Sequence, residues 1–160
     1  MKQNSPSLTA DRVAIMRAAH QIFDNPKVFE DPIALRIIGT QSVSDIRKDK
    51  RKFESRIHKY LRSIVAARSR FVEDELSVAI NRGIRQYVIL GAGLDTFAYR
   101  NPHSSNGLKV FEVDYPATQE WKRQQLDVAK IPIPESLTFT SINFENQALA
   151  DQLRETGFRA

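Results

Sequence analysis

Through the first half of the chain, hydrophobic positions recur at steps of three and four. From Tyr87 onward they gather into short unbroken runs. The first pattern is that of helices lying on a core, and the second that of strands buried in a parallel sheet. Thr9 can cap a helix running to about Phe23, with Val13, Met16, Ala19 and Phe23 along one face, and Asp31-Pro32 opens a short second helix through Ile38. A long helical pattern from about Phe53 to Asn81 ends at Gly83, a stop signal. Strands are expected near 87–90, 109–113 and 137–142, with helices near 117–129 and 146–156, giving successive βαβ-type crossovers.

The long helix carries an anomaly. Stepping at 100° per residue from Leu61, the positions Ile64, Val65, Phe71, Val72, Leu76 and Ala79 fall on one stripe, with Arg68 in its middle and Arg70 on the opposite side. If that stripe is the packed face, Arg68 must snorkel out or find an anion, since an unpaired buried guanidinium costs several kcal/mol. Glu75, on the same stripe, is the structural alternative as its partner.

The chemistry concentrates between Gln86 and Asp114. An apolar strand, Tyr87-Val88-Ile89-Leu90, empties into Gly91-Ala92-Gly93-Leu94-Asp95, and a second strand, Val110-Phe111-Glu112-Val113, ends in Asp114. Glycines after the first strand let the backbone approach a ligand closely, and a carboxylate ending the second strand can accept from both hydroxyls of a ribose. The acid stands at the expected distance, roughly 20 residues beyond the glycines. Thr96 fills the place of the third glycine of a dinucleotide fingerprint, so pyrophosphate on a helix start is poorly supported. An adenosine cofactor without phosphates, such as S-adenosylmethionine, needs only the close approach and the ribose acid. Taken singly, Gly91 and Gly93 could form no more than a tight turn, and Asp114 could cap the helix opening near Pro116.

The segments QYVILGAGLDTFAYR (Gln86 to Arg100) and FEVDYPATQEWKR (Phe111 to Arg123) resemble the core of the leucine carboxyl methyltransferase family, above all its bacterial branch of S-adenosylmethionine-dependent O-methyltransferases. AARSRFVEDEL (Ala66 to Leu76), TADRVAIMRAAH (Thr9 to His20) and VFEDPIALRIIG (Val28 to Gly39) agree with that branch, in family order. The resemblance implies S-adenosyl-L-methionine as cofactor, with Gly91, Ala92, Gly93 and Asp95 in its loop, Asp114 on the ribose and Arg68 on the methionine carboxylate. It places Asn143 where the family usually carries an acid facing the adenine amino group. An amide oxygen there can still accept, at roughly half the strength of a charged one. Phe144 is expected to lie against the adenine or, more safely, to fill core. Alternation sends Glu112 to the same side of its strand as Asp114, which makes it a further cofactor-binding candidate, and Asp95, in the loop near the expected sulfonium end, is by default a solvated loop acid.

Composition narrows the classes. The chain has 160 residues and no cysteine, which excludes a disulfide framework and a cysteine metal site and suits the cytoplasm. His20, His58 and His103 lack ligand spacing, so no metal is expected. The polar amino terminus lacks the core of a signal peptide, and no run approaches the ~18 apolar residues of a membrane span. The net charge of +5 is concentrated between Arg47 and Arg70, where ten Lys or Arg face only Asp49 and Glu54. Such a run is more often a solvated loop or helix face than a nucleic-acid surface, and no aromatic platform accompanies it.

The expectation is therefore an α/β protein: a Rossmann-like class I methyltransferase sheet, truncated, with an amino-terminal helical cover over 1–82 and the first half of the cofactor domain over 83–160. The resemblance implies O-methyl transfer to a carboxyl or hydroxyl group of a small molecule or protein, with no catalytic residue identified. Family members continue beyond the point matching Ala160, so an amino-terminal fragment is expected. The alternative is a non-catalytic fragment that at most binds cofactor or a partner chain. In the family sheet the glycine-bearing strand is central, so here it would lie at an edge and favour self-association.

Overall fold

The computed structural model describes residues 7–159, and the polar stretch 1–6 discussed above lies outside them. Helix α1 (Leu8–Phe23) is capped by Ser7, whose side chain accepts from the Ala10 N–H at 3.2 Å, so the cap precedes the expected Thr9. A short α2 (Ala34–Ile37) follows Asp31, whose Oδ1 accepts from the N–H groups of Ile33 and Ala34 at 3.1 Å each. The basic run folds as α3 (Gly39–Lys48) and α4 (Lys50–Phe53), with Arg47, Lys48, Lys50, Arg51 and Lys52 all exposed. Helix α5 (Arg56–Asn81) ends at Gly83, which adopts a φ of +98° and donates to the Ile80 carbonyl at 3.0 Å.

Three parallel strands follow, β1 (Gln86–Leu90), β2 (Lys109–Asp114) and β3 (Leu137–Ser141), in the order β1-β2-β3. Val88 pairs with Phe111 and Phe111 with Thr138. Helix α6 (Pro116–Val128) crosses from β2 to β3, and α7 (Leu149–Glu155) comes after β3. Only short 3-10 turns, Phe97–Arg100 and Ser104–Asn106, link β1 to β2. One face of the sheet packs Val110 and Leu137 against Leu76, Ile80 and Phe97; the other packs Phe111 and Val113 against Leu153 and Phe158. Ala14, Ala18, Ile37 and Phe53 of the cover join Leu94, Leu126 and Ile131 in a third cluster, so cover and sheet share their core. No helix among the described residues is long and apolar enough to cross a membrane.

Helix α5 is turned by roughly a quarter of a turn from the sequence expectation, so that of the apolar stripe only its Leu76 edge is fully buried. Its buried residues are Arg62, Ala66, Leu76 and Ile80, whereas Leu61, Ile64, Phe71 and Val72 of the apolar stripe are exposed, together with Ile57 and Val78. Paired charges hold this orientation. Arg62, fully buried, donates from Nη2 to Asp24 Oδ1 at 2.6 Å and from Nε to Asp24 Oδ2 at 3.1 Å, and it also donates to the Phe53 carbonyl. Glu73 receives both terminal nitrogens of Arg100, at 2.8 and 2.5 Å. Rotating the apolar stripe inward would strand these charges, at a cost of roughly 3–5 kcal/mol for each broken buried pair.

Candidate functional site

A cavity of about 590 Å³ opens at the carboxyl ends of β1 and β2, between the loop that follows β1 and helix α1. Open parallel sheets bind ligands at this end of their strands. Gly91, Ala92, Gly93 and Asp95 all line it, as do Asp114, Arg68, Asn143 and Phe144. Of the residues singled out from the sequence, Glu112 alone stands apart.

The acid at the end of β2 is tied to the glycine loop. Asp114 Oδ2 accepts from the Gly93 N–H at 2.6 Å, and Oδ1 accepts from the Tyr115 N–H at 2.7 Å. Because α6 begins after Tyr115 and gains no side-chain cap, capping does not account for this carboxylate. Each oxygen keeps a further lone pair, so the half-buried group can accept from hydroxyls in the cavity.

The two glycines have different reasons to be glycine. Both take positive φ, +64° at Gly91 and +50° at Gly93. A Cβ on Gly93 would stand 2.7 Å from Ala10 Cβ, so the close approach there is by α1 rather than by a ligand. A Cβ on Gly91 would meet nothing within 4 Å, leaving open space at the cavity wall.

Asp95 is not the solvated acid expected by default. Its Oδ2 accepts from Arg17 Nη2 at 3.2 Å and its Oδ1 from the Phe97 N–H at 2.8 Å. Burial pushes the carboxyl upward, but Arg17, helped by Lys122, the Phe97 N–H and Arg100, outweighs it and holds the pKa below the usual range. Thr96, in the place of the absent third glycine, is fully buried; its hydroxyl donates to Asp31 Oδ2 at 2.5 Å and accepts from Arg17 Nη1 at 3.3 Å. Arg17 was missed from the sequence. It lines the cavity, and its Nε is buried with no hydrogen-bond partner among the described residues. A signal was present: Ala10, Ala14, Arg17 and Ala18 form a stripe of small residues around one arginine, the face of a helix that packs close.

Glu112 points away from the cavity, although it alternates with Asp114. It is fully buried against α6, where its Oε2 accepts from Lys122 Nζ at 2.5 Å and its Oε1 has no partner among the described residues. Asp114 stands at the strand end and lines the cavity, whereas Glu112 lies two residues earlier, under the helix. Burial pushes its carboxyl up to about 7 against the pull of Lys122.

On the open side, Arg68 is exposed at the cavity rim rather than embedded in a packed stripe, and no partner holds it among the described residues. Asn143 Oδ1 already accepts from the Glu145 N–H at 3.0 Å, leaving one lone pair. Phe144, for which core was the safer expectation, is 58% exposed. Among the described residues no three His, Asp or Glu side chains gather as a metal site requires.

Comparison with known proteins bears on this arrangement. The family profile described as leucine carboxyl methyltransferase matches residues 10–160. The chain is 35% identical over 179 residues to the Bacillus subtilis (strain 168) protein named "Putative S-adenosyl-L-methionine-dependent methyltransferase YktD", covering 99% of this chain and 59% of YktD. Similarity to a Mycobacterium marinum (strain ATCC BAA-535 / M) protein named "Putative S-adenosyl-L-methionine-dependent methyltransferase" is 36% over 125 residues, 74% of this chain and 41% of that protein. The chain thus spans well under two thirds of the length of the curated relatives it matches.

Proposed function

The chain belongs to the leucine carboxyl methyltransferase family, and from that premise we propose that its cavity binds S-adenosyl-L-methionine for methyl transfer to an oxygen of a carboxyl or hydroxyl acceptor. The observation that carries this reading is the carboxylate of Asp114, tied to the glycine loop with lone pairs to spare beside an open wall at Gly91. The residues present fit the cofactor. Asp114 would take the ribose hydroxyls, Arg68 would meet the methionine carboxylate in a planar, two-point contact, and Asn143 and Phe144 would lie at the adenine. When bound, the cofactor supplies a methyl group on a sulfonium that carries its own leaving group.

The chain's part is then to position. The Asp114–Gly93 and Asp95–Arg17 contacts fix the loop in advance of binding, so little ordering remains at the moment of encounter. A carboxylate acceptor brings its own nucleophilic oxygen and needs no general base, and we assign none. A second reading, a module that binds cofactor without turnover by itself, draws support from the edge of β1, which pairs with no further strand among the described residues and where Leu90 is 58% exposed beside the cavity. Calorimetric titration of S-adenosylmethionine into the 160-residue chain, with a tritiated-methyl transfer assay beside it, separates the two. Binding that Asp114→Ala weakens by about 10- to 100-fold, the worth of a charge-assisted hydrogen bond, supports the site. Binding indifferent to Asp114→Ala contradicts it. Turnover decides between enzyme and module.

A further inference from the structure

The outer face of α5 is an exposed apolar surface with no partner among the described residues. Ile57, Ile64, Phe71 and Val78 recur every seventh residue along it, at exposures of 70%, 37%, 66% and 43%. Tyr60, Leu61 and Val72 widen the stripe, and the helix of 26 residues is about 39 Å long. A seven-residue apolar repeat is the seam by which one helix packs along another. Within the middle of this seam stand two charges, Arg68 and Glu75, both exposed and neither with a partner among the described residues.

Their placement is self-complementary. If two α5 helices lie antiparallel about a two-fold axis between Phe71 and Val72, Arg68 of one copy falls opposite Glu75 of the other, since each stands three residues outside that central pair. The same axis sets Ile64 beside Val78 and Ala79, and Leu61 along the stem of Arg82. Both unpaired charges are thereby matched twice over, as an isologous contact requires, and antiparallel helix dipoles add to the attraction. We propose that this face is occupied by a second copy of the chain, two α5 helices forming an antiparallel seam closed by reciprocal Arg68–Glu75 ion pairs. This is a different surface from the free edge of β1. The five N–H donors of Arg68 allow it to meet Glu75 of the second copy and an anion in the cavity together. A single helix pair buries less than a standard interface, so the dimer dissociates on dilution.

Sedimentation equilibrium of the chain over a range of concentrations tests this. The expected result is a reversible dimer, weakened tenfold or more by Glu75→Arg, abolished by Phe71→Asp, and restored to within a few fold when Arg68→Glu is combined with Glu75→Arg. All these positions are exposed, and thermal melts check that the variants fold. Because the chain has no cysteine, a single Val72→Cys substitution close to the axis should also give a disulfide-linked dimer on mild oxidation, where Val28→Cys should not. A monomer at every soluble concentration, a dimer indifferent to Phe71→Asp and Glu75→Arg and so held by another surface such as the β1 edge, or no preference for cross-linking at Val72→Cys would overturn the proposal.

Discussion

On the strand side of the cavity, Asp114 is held by the N–H of its immediate neighbour Tyr115 and by that of Gly93, 21 residues earlier, across the β1–β2 pair. On the helix side, Arg17 reaches Asp95 across 78 residues, and behind it Arg62 reaches Asp24 across 38. The first wall is assembled from backbone and one acid inside a single supersecondary unit. The second is assembled from paired side chains that only the complete packing of cover on sheet brings together. A site with one wall of each kind has a binding geometry set by local structure and a stability set by distant ion pairs, and substitutions on the two sides should fail in different ways.

The largest effect is expected on the helix side. Arg17→Met removes the partner of Asp95 and leaves Asp31 and Thr96 buried without it, and should cost about 3–5 kcal/mol of unfolding free energy, the loss typical of a broken buried pair. Chemical denaturation measures this directly. A loss below about 1 kcal/mol would mean that the two walls are not held differently.

The glycines sharpen the contrast by reporting on both walls at once. Gly93→Ala forces a Cβ against Ala10 at a positive φ, and overpacking plus backbone strain should together cost about 2–4 kcal/mol. Gly91→Ala carries the strain alone, about 1–2 kcal/mol, but places a methyl at the cavity wall, so it should impair cofactor binding more than its stability cost explains. Melting curves with parallel titrations check the order; equal stability losses would remove the distinction.

The effects of pH run in opposite directions in the two halves. Asp24 has its carboxyl pushed up by burial but pulled down further by Arg62 and His20, so its folded pKa lies below 3.8. The stability it contributes is present above that value and is lost as pH falls through the folded pKa. Glu112, raised from 4.5 to about 7 chiefly by burial, contributes stability that is present below 4.5 and is lost as pH rises through about 7. Melts from pH 3 to 8 should therefore lose part of their acid-side slope in Asp24→Asn and part of their decline between about 4.5 and 7 in Glu112→Gln.

The same contrast explains what could be read from the sequence. The strands, α6, the parallel order and the loop with its acid follow from apolar runs, Pro116 and glycine spacing, all of which act over short separations. The orientation of α5 did not follow. Its apolar stripe is a stronger local signal than Arg62 or Glu73, but Asp24 and Arg100, which settle the matter, are visible as partners only in the fold. Arg17 and Thr96 escaped for the same reason, and Glu112 was misplaced because alternation gives the side of a strand and not what covers it.

The central claim is that the cavity beside the glycine loop is the S-adenosylmethionine site. Amide-resolved nuclear magnetic resonance of the labelled chain during titration with S-adenosylmethionine tests it most directly. The account predicts saturable shifts concentrated on Gly91, Ala92, Gly93, Asp95 and Tyr115, with smaller ones at Asn143 and Phe144 and none around Met16, Phe53 and His58, which line a separate groove between α1, α3 and α5. Shifts gathered in that groove, or spread without a centre while the glycine-loop amides stay still, would contradict it.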